Sequence, residues 1–290
     1  MMEMGIITKP ATWLYGEDQI SRTDEVFMGW AVKILKEVGE AYEAVTHYGY
    51  HGYIKKENLL PCTLEEIRKR DAVRKTVWNR CAFADVKEEP DVRSKILCTL
   101  GRGSFVTKLH EVSNGYRKVG LANGEEGYIP DIFLEERRES DACFYEREPN
   151  LFLLRQGKKY LPEKKDFQKR LVACARAYLG TQYRWAGKSA EGIDCSGLTF
   201  MCYWMNGVMI YRDAEIKKEY PVHEIPIERM EPGDLLYFPG HVALYIGDLK
   251  YIHATGNPKS AACVINSLSE KDPDYRADLA SSLLKAGSIW

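Results

Sequence analysis

Two stretches decide how this chain is read: Tyr183-Arg-Trp-Ala-Gly187…Gly192-Ile-Asp-Cys195-Ser-Gly197-Leu198, and Pro239-Gly240-His241-Val-Ala-Leu-Tyr-Ile-Gly247-Asp-Leu-Lys250-Tyr-Ile-His253-Ala254. In the first, Asp194 precedes an apolar run to about Asn206 that Gly207 ends, the pattern of a capped helix. Cys195 then falls in the first helical turn, where unpaired backbone N–H groups and the positive end of the helix dipole favour thiolate over thiol. Ser196 and Gly197 are small, which leaves room beside those N–H groups for a substrate carbonyl and half of an oxyanion hole. In the second stretch, two strand-like runs flank a tight Gly247-Asp-Leu-Lys250 turn, so a hairpin brings His241 and His253 to neighbouring strands, a few residues from opposite. One imidazole is then placed to act as base towards the thiol and the other to orient it. A zinc site of Cys195, His241 and His253 is the competing chemistry, with only three ligands and without the short-spaced pair that zinc sites use.

Working outward, Phe167, Leu171, Val172, Ala175, Tyr178 and Leu179 make an apolar helical stripe, with Asp166 placed to cap its start and Gly180 to close its end. Strand-like runs follow at 235–238, 242–247, 251–254 and 263–266. Helices first and an antiparallel sheet afterwards give an α+β domain over residues 166–290. Cys174 and Cys202 sit within apolar helical faces and read as structural.

The front half has a different texture. Short apolar runs broken by turns, at 30–35, 41–45 and 52–54 and again at 95–100, 104–107 and 116–119, predict small β-barrels. Gly52-Tyr53-Ile54 reaches Leu59 at the same spacing as Gly127-Tyr128-Ile129 reaches Leu134, and Tyr42-x-x-Val45 matches Tyr116-x-x-Val119, which indicates an internal duplication. Thr63 and Glu66 have the capping-box spacing of a helix start. The expected organisation is therefore a β domain at 1–62, a helical connector at 63–79, a second β domain at 80–140, a charged linker at 141–165 and the α+β domain at 166–290.

Composition narrows the class. Lys plus Arg (41) nearly balances Asp plus Glu (42), leaving a net charge of −1. Without a basic excess, nucleic acid and anionic membranes are not expected partners. No apolar run approaches the roughly 18 residues of a transmembrane span. The chain's start carries no basic segment followed by an apolar one, and the eight cysteines show neither CxxC pairs nor regular spacing. Free thiols in a reducing compartment, hence a cytoplasmic protein, is the expectation. The sequence is silent on oligomeric state.

Asp-Cys-Ser-Gly-Leu, Gly-Asp-Leu-Leu-Tyr-Phe, Gly-His-Val-Ala-Leu-Tyr-Ile-Gly and Ile-His-Ala, in this order over 166–290, resemble the NlpC family of papain-like cell-wall peptidases. The Gly-Tyr-Ile endings resemble the last strands of bacterial SH3-like domains, and a tandem SH3-like front half is similar to the YkfC-type members, the γ-D-glutamyl-L-diamino acid endopeptidases. The resemblance implies cleavage between γ-D-Glu and the diamino acid (diaminopimelate or Lys) of murein stem peptides, in cell-wall peptide recycling, with no cofactor. It implies Cys195 as nucleophile, His241 as base, His253 as the orienting residue and Tyr183 as a hydroxyl that helps the oxyanion. By composition alone Arg212-Asp213 is an ordinary surface pair. The resemblance instead implies that Asp213 holds the free amine of the substrate's L-Ala, beside Arg212, Asp194 and Ser196, with a Glu and a Tyr of the first β domain for which Glu25 and Tyr50 are the candidates. Two other readings use the same residues: an amidase or acyltransferase with this Cys-His-His set, because one fold hosts several chemistries, and a non-catalytic peptide-binding protein.

Overall fold

The computed structural model describes residues 4–73, 76–79, 81–136 and 163–290, and the chain divides into an N-terminal and a C-terminal unit. The N-terminal unit holds two seven-stranded antiparallel sheets. The first is built from β1 (Met4–Ile7), β2 (Ala11–Tyr15), β3 (Arg22–Phe27), β4 (Ala31–Val38), β5 (Ala41–Thr46), β6 (His51–Lys55) and β7 (Leu59–Cys62), in the order β3-β2-β6-β5-β4-β1-β7. The second is built from β8 (Thr76–Asn79), β9 (Phe83–Lys87), β10 (Ile96–Gly101), β11 (Phe105–Ser113), β12 (Tyr116–Gly120), β13 (Glu126–Pro130) and β14 (Leu134–Glu136), in the order β10-β9-β13-β12-β11-β8-β14. Adding seven to each strand of the first order gives the second, so the duplication seen in the Gly-Tyr-Ile repeats extends to the whole topology.

The repeated glycine has one cause in both copies. A Cβ on Gly52 would lie 2.6 Å from Leu14 Cγ and 2.7 Å from the Tyr15 carbonyl oxygen; on Gly127 it would lie 2.6 Å from Val86 Cγ1 and 2.8 Å from the Lys87 carbonyl oxygen. At each place a strand crosses the corner of another so closely that only hydrogen fits. A 3₁₀ turn (Lys56–Asn58, Asp131–Phe133) then leads into the last strand of each sheet.

Helix α1 (Leu64–Val73) links the two sheets, and its capping box is in place: Thr63 N–H donates to Glu66 Oε2 at 2.7 Å and Glu66 N–H to Thr63 Oγ1 at 3.2 Å. The expected connector ran to 79, but the second sheet already takes its first strand from Thr76–Asn79, a run of β-formers that continues the ladder beside β11 and β14. The two repeats interlock. Trp30 Nε1 donates to the Gly103 carbonyl at 2.8 Å, Phe105 N–H donates to the Met28 carbonyl at 2.8 Å, and Met28 is buried in the core of the second repeat. Of the expected second domain and linker, residues 137–162 lie outside the described residues.

The C-terminal unit opens with α2 (Lys164–Arg176), whose face of Phe167, Leu171 and Ala175 is buried as the apolar stripe required. Its N-cap is Glu163, not Asp166: the Glu163 carboxylate accepts the Asp166 N–H at 3.4 Å, and Asp166 lies within the first turn. Gly180 does adopt the left-handed conformation (φ 84°), but after a further irregular turn rather than at the helix end. A small ladder of β15 (Lys188–Ser189) and β16 (Gly192–Ile193) feeds α3 (Cys195–Trp204). Val208 N–H to the Tyr203 carbonyl and Gly207 N–H to the Trp204 carbonyl close α3 in a Schellman pair, with Gly207 at φ 82°.

The six-stranded sheet of this unit runs β17 (His223–Ile225), β22 (Lys285–Ser288), β18 (Leu235–Phe238), β19 (His241–Gly247), β20 (Lys250–Ala254), β21 (Cys263–Ser267). The four consecutive strands β18 to β21 are those expected from sequence. The two at the far edge, β17 and β22, are short, and their pairing joins segments too distant in sequence to be read from it. A short helix α4 (Ala277–Ser282) precedes β22.

Candidate active site

Asp194 places Cys195. With φ −96° and ψ 176° it is the N-cap of α3, and its carboxylate accepts the Gly197 N–H at 2.5 Å. The same carboxylate takes two parallel N–H contacts of 3.1 Å from the Arg212 guanidinium, and Arg212 also donates to Ser196 Oγ at 2.8 Å. Arg212 is 1% exposed and Asp194 6%, so this is a buried bidentate pair rather than a surface one. Gly197 is small for a different reason from the one the sequence suggested: a Cβ there would strike the Gly187 carbonyl, so the missing side chain serves backbone packing rather than substrate space. The Ser196 hydroxyl is taken up by Asp194 and Arg212.

Cys195 is 7% exposed, and the backbone N–H of Val242, the residue after His241, lies near enough to its sulfur to favour the thiolate against burial. That contact joins the start of α3 to the start of β19. The hairpin does what its turn demands: Asp248 and Leu249 both have positive φ (52° and 57°), and Leu244 pairs with Ile252. Continued along the ladder, this register sets His241 and His253 diagonally on one face. Their rings meet edge to face, with His241 Nε2 and His253 Nδ1 2.7 Å apart. Beyond them, His253 Nε2 lies 2.9 Å from Asn266 Oδ1, and Asn266 Nδ2 donates to the Asp274 carbonyl at 2.9 Å.

Burial sets the electrostatics. It pushes the Cys195 thiol up to about 11, helped by the adjacent Asp194 carboxylate. It pulls His241 down to about 3, with His253 and Arg276 adding to the effect, and His253 down to about 4. The helix N-terminus favours a thiolate, while desolvation acts against it and disfavours charge on both the thiol and the imidazole. Tyr183 lies next to this cluster. Its hydroxyl is raised to about 12 by burial and then by Cys195 and Asp194, and its ring packs on Gly256, where a Cβ would come within 3.2 Å.

The other expected residues divide between the units. Asp213 is half-buried beside Arg212, and its carbonyl accepts the Glu215 N–H at 2.8 Å. Glu25 and Tyr50 belong to the N-terminal unit. Glu25 is buried on β3 opposite Trp13, while Tyr50 is half-buried in a turn that its N–H closes on Thr46 Oγ1 at 3.0 Å. Two residues escaped the sequence reading. Asn266 lies on the strand after His253, in Cys263-Val-Ile-Asn266, and the diagonal rule that joined the histidines applies to it too, since Val264 faces His253. Lys188 is fully buried, with Nζ 4.8 Å from the Phe200 ring centroid, and a lysine in Gly187-Lys188-Ser-Ala-Glu-Gly192 carries no signal of burial. Among the described residues, no cluster of three or more His, Cys, Asp or Glu side chains is disposed to hold a metal ion.

The sequence profile of the NlpC/P60 family matches residues 180–276, the span that contains Tyr183, Cys195, His241, His253 and Asn266. The chain is 36% identical over 288 residues to Dipeptidyl-peptidase 6 of Lysinibacillus sphaericus, covering 96% of both chains. It is 30% identical over 164 residues to the γ-D-glutamyl-L-lysine dipeptidyl-peptidase of Bacillus cereus, an alignment over 54% of this chain and only 43% of that protein. Among solved structures, an NlpC/P60 family protein from Bacillus cereus superposes with a TM-score of 0.74 over 98% of both chains at 20% identity, a likeness of fold. Matched almost end to end by a named peptidase, and carrying the family profile across the residues that build this cluster, the chain belongs to the NlpC/P60 family of cysteine peptidases.

Proposed function

We propose that this protein is an endopeptidase that cleaves the γ-D-glutamyl–L-diamino acid bond of murein stem peptides carrying a free N-terminal L-Ala. The observation that carries the reading is the hydrogen-bonded row of His241, His253 and Asn266, with the Cys195 sulfur near the backbone N–H of Val242, the residue after His241. The names of the relatives, which include a γ-D-glutamyl-L-lysine dipeptidyl-peptidase, support the substrate class.

In this reading His241 takes the Cys195 proton as the sulfur attacks the γ-D-Glu carbonyl. Burial disfavours charge on both groups, which supports proton transfer and attack going together. The Cys195 backbone N–H and the Tyr183 hydroxyl hold the oxyanion. The intermediate collapses as His241 protonates the leaving amine of the diamino acid, and water hydrolyses the thioester to release L-Ala-γ-D-Glu. Asp213 pairs with the substrate's terminal ammonium, while Arg212 neutralises Asp194 and keeps the floor of the site rigid. The two β repeats are SH3-like domains in this reading, a view supported by their shared strand order. Among the described residues Cys62, Cys98, Cys195 and Cys263 are free thiols, which supports a reducing compartment and a role in recycling soluble wall peptides.

Mass-spectrometric hydrolysis of L-Ala-γ-D-Glu-L-Lys and its diaminopimelate counterpart, each free and N-acetylated, tests this with wild type and Cys195→Ala. Release of L-Ala-γ-D-Glu from the free peptides alone, lost in the variant, is expected. Equal rates on free and acetylated peptides would remove the amine pocket, and no cleavage by folded protein would favour the amidase or acyltransferase reading.

A further inference from the structure

The Asp274 carbonyl is a fixed point behind the histidines. It accepts the Ser267 N–H at 3.0 Å, in the bridge that ties Ser267 to Tyr275, and it accepts Asn266 Nδ2 at 2.9 Å. A carbonyl cannot donate, so only the amide –NH₂ of Asn266 can face it, and Oδ1 must face His253. Oδ1 in turn only accepts, so the Nε2 atom of His253, 2.9 Å away, carries the hydrogen. His253 is wholly buried and neutral, so its one hydrogen is thereby used and Nδ1 holds a lone pair. That lone pair faces His241 Nε2 at 2.7 Å, which must therefore carry the hydrogen of the second ring. What remains on His241 is a bare Nδ1, the ring nitrogen on the main-chain side, and the Cys195 sulfur lies near the main-chain N–H of the very next residue.

We propose that Asn266 is a positioning residue that sets the proton register of both histidines, so that His241 presents an unprotonated Nδ1 to Cys195. The proposal rests on the reading of Cys195 as nucleophile and His241 as base, and goes beyond it by naming what selects the tautomer. Without the amide, His253 can hold its hydrogen on Nδ1 and donate to His241 Nε2. The His241 hydrogen then moves to Nδ1 and points at the thiol, and that ring cannot take a proton. No bond is broken in this switch; one hydrogen changes nitrogen on each ring.

The experiment is a two-bond ¹⁵N–¹H correlation spectrum of full-length protein with ¹⁵N-labelled histidine, which separates protonated from bare ring nitrogens. Wild type is expected to show a single tautomer for each of the two rings, with hydrogen on Nε2. Asn266→Ala is expected to mix tautomers, while Asn266→Asp keeps the register because a carboxylate oxygen still accepts from Nε2. On L-Ala-γ-D-Glu-L-Lys, Asn266→Ala is expected to lower kcat by about 10- to 100-fold, the range for loss of a supporting partner, with KM within about two-fold. Asn266→Asp is expected to recover most of that loss, although its second oxygen faces the Asp274 carbonyl and makes it the less heat-stable variant. A purely structural asparagine would instead make activity follow stability. Hydrogen on His253 Nδ1 in wild type, an unchanged spectrum in Asn266→Ala, or Asn266→Asp slower than Asn266→Ala would overturn the assignment. If wild type does not cleave the peptide, the functional reading fails, while the spectra still decide the register.

Discussion

Arg212 grips Asp194 through two parallel contacts of 3.1 Å, and both side chains are buried beneath the first turn of the helix that carries Cys195. One carboxylate thus caps the helix and neutralises a buried cation at once. Removing one partner of a buried ion pair costs about 3–5 kcal/mol, because the other charge is stranded. Arg212→Met is expected to lose stability in that range by urea unfolding, and Asp194→Asn combined with it to lose clearly less than the two single losses added together. Additive losses would mean that the two groups are not coupled.

Burial holds His241 near 3 and His253 near 4, below the ordinary histidine value, so the unfolded chain binds more protons than the folded one as acid is added. Stability contributed by these rings is complete above about pH 6.5 and is lost as the pH falls towards their folded values. In His253→Gln the acid side of the stability profile is expected to flatten. A profile with wild-type slope between pH 6 and 4 would show that the rings are already charged in the folded protein.

The Cys195 thiol, raised to about 11, carries a related expectation. Iodoacetamide labelling of Cys195, referenced to Cys195→Ala, should accelerate with pH well into the alkaline range. A plateau already reached below pH 7 would instead reveal a thiolate–imidazolium pair at rest.

Tyr183 sits close enough to Cys195 for the thiol to help raise its hydroxyl. Removing one oxyanion donor typically costs about 10²–10³ in kcat. Tyr183→Phe is expected to fall near the lower end of that range with KM little changed, since the backbone N–H remains. An unaltered kcat would reduce Tyr183 to a packing aromatic.

Gly52 and Gly127 test the duplication energetically. Alanine at either should cost about 1–3 kcal/mol by overpacking, because its Cβ meets a side chain at 2.6 Å and a carbonyl oxygen behind it. Gly101→Ala, whose Cβ would meet its nearest neighbour only at 4.0 Å, is the control and should be close to neutral in thermal unfolding. Comparable losses at all three positions would contradict the close strand crossing.

What the sequence determined by itself is local. Asp-Cys-Ser-Gly starts a capped helix because Asp194 can accept from Gly197 N–H, and Gly247 to Lys250 makes a tight turn because two left-handed residues fit it. Those constraints reach only a few residues, yet they suffice to join His241 to His253, and Gly-Tyr-Ile twice over suffices to reveal the repeat. Only the tertiary structure decided what spans long separations. It placed Arg212 beneath Asp194, closed Gly187 on Gly197, added β17 and β22 to the sheet edge and brought Asn266 behind His253. It also set an opposing electrostatic effect: a helix N-terminus can be read from a cap, but the desolvation that disfavours charge on Cys195 and His241 depends on everything packed around them.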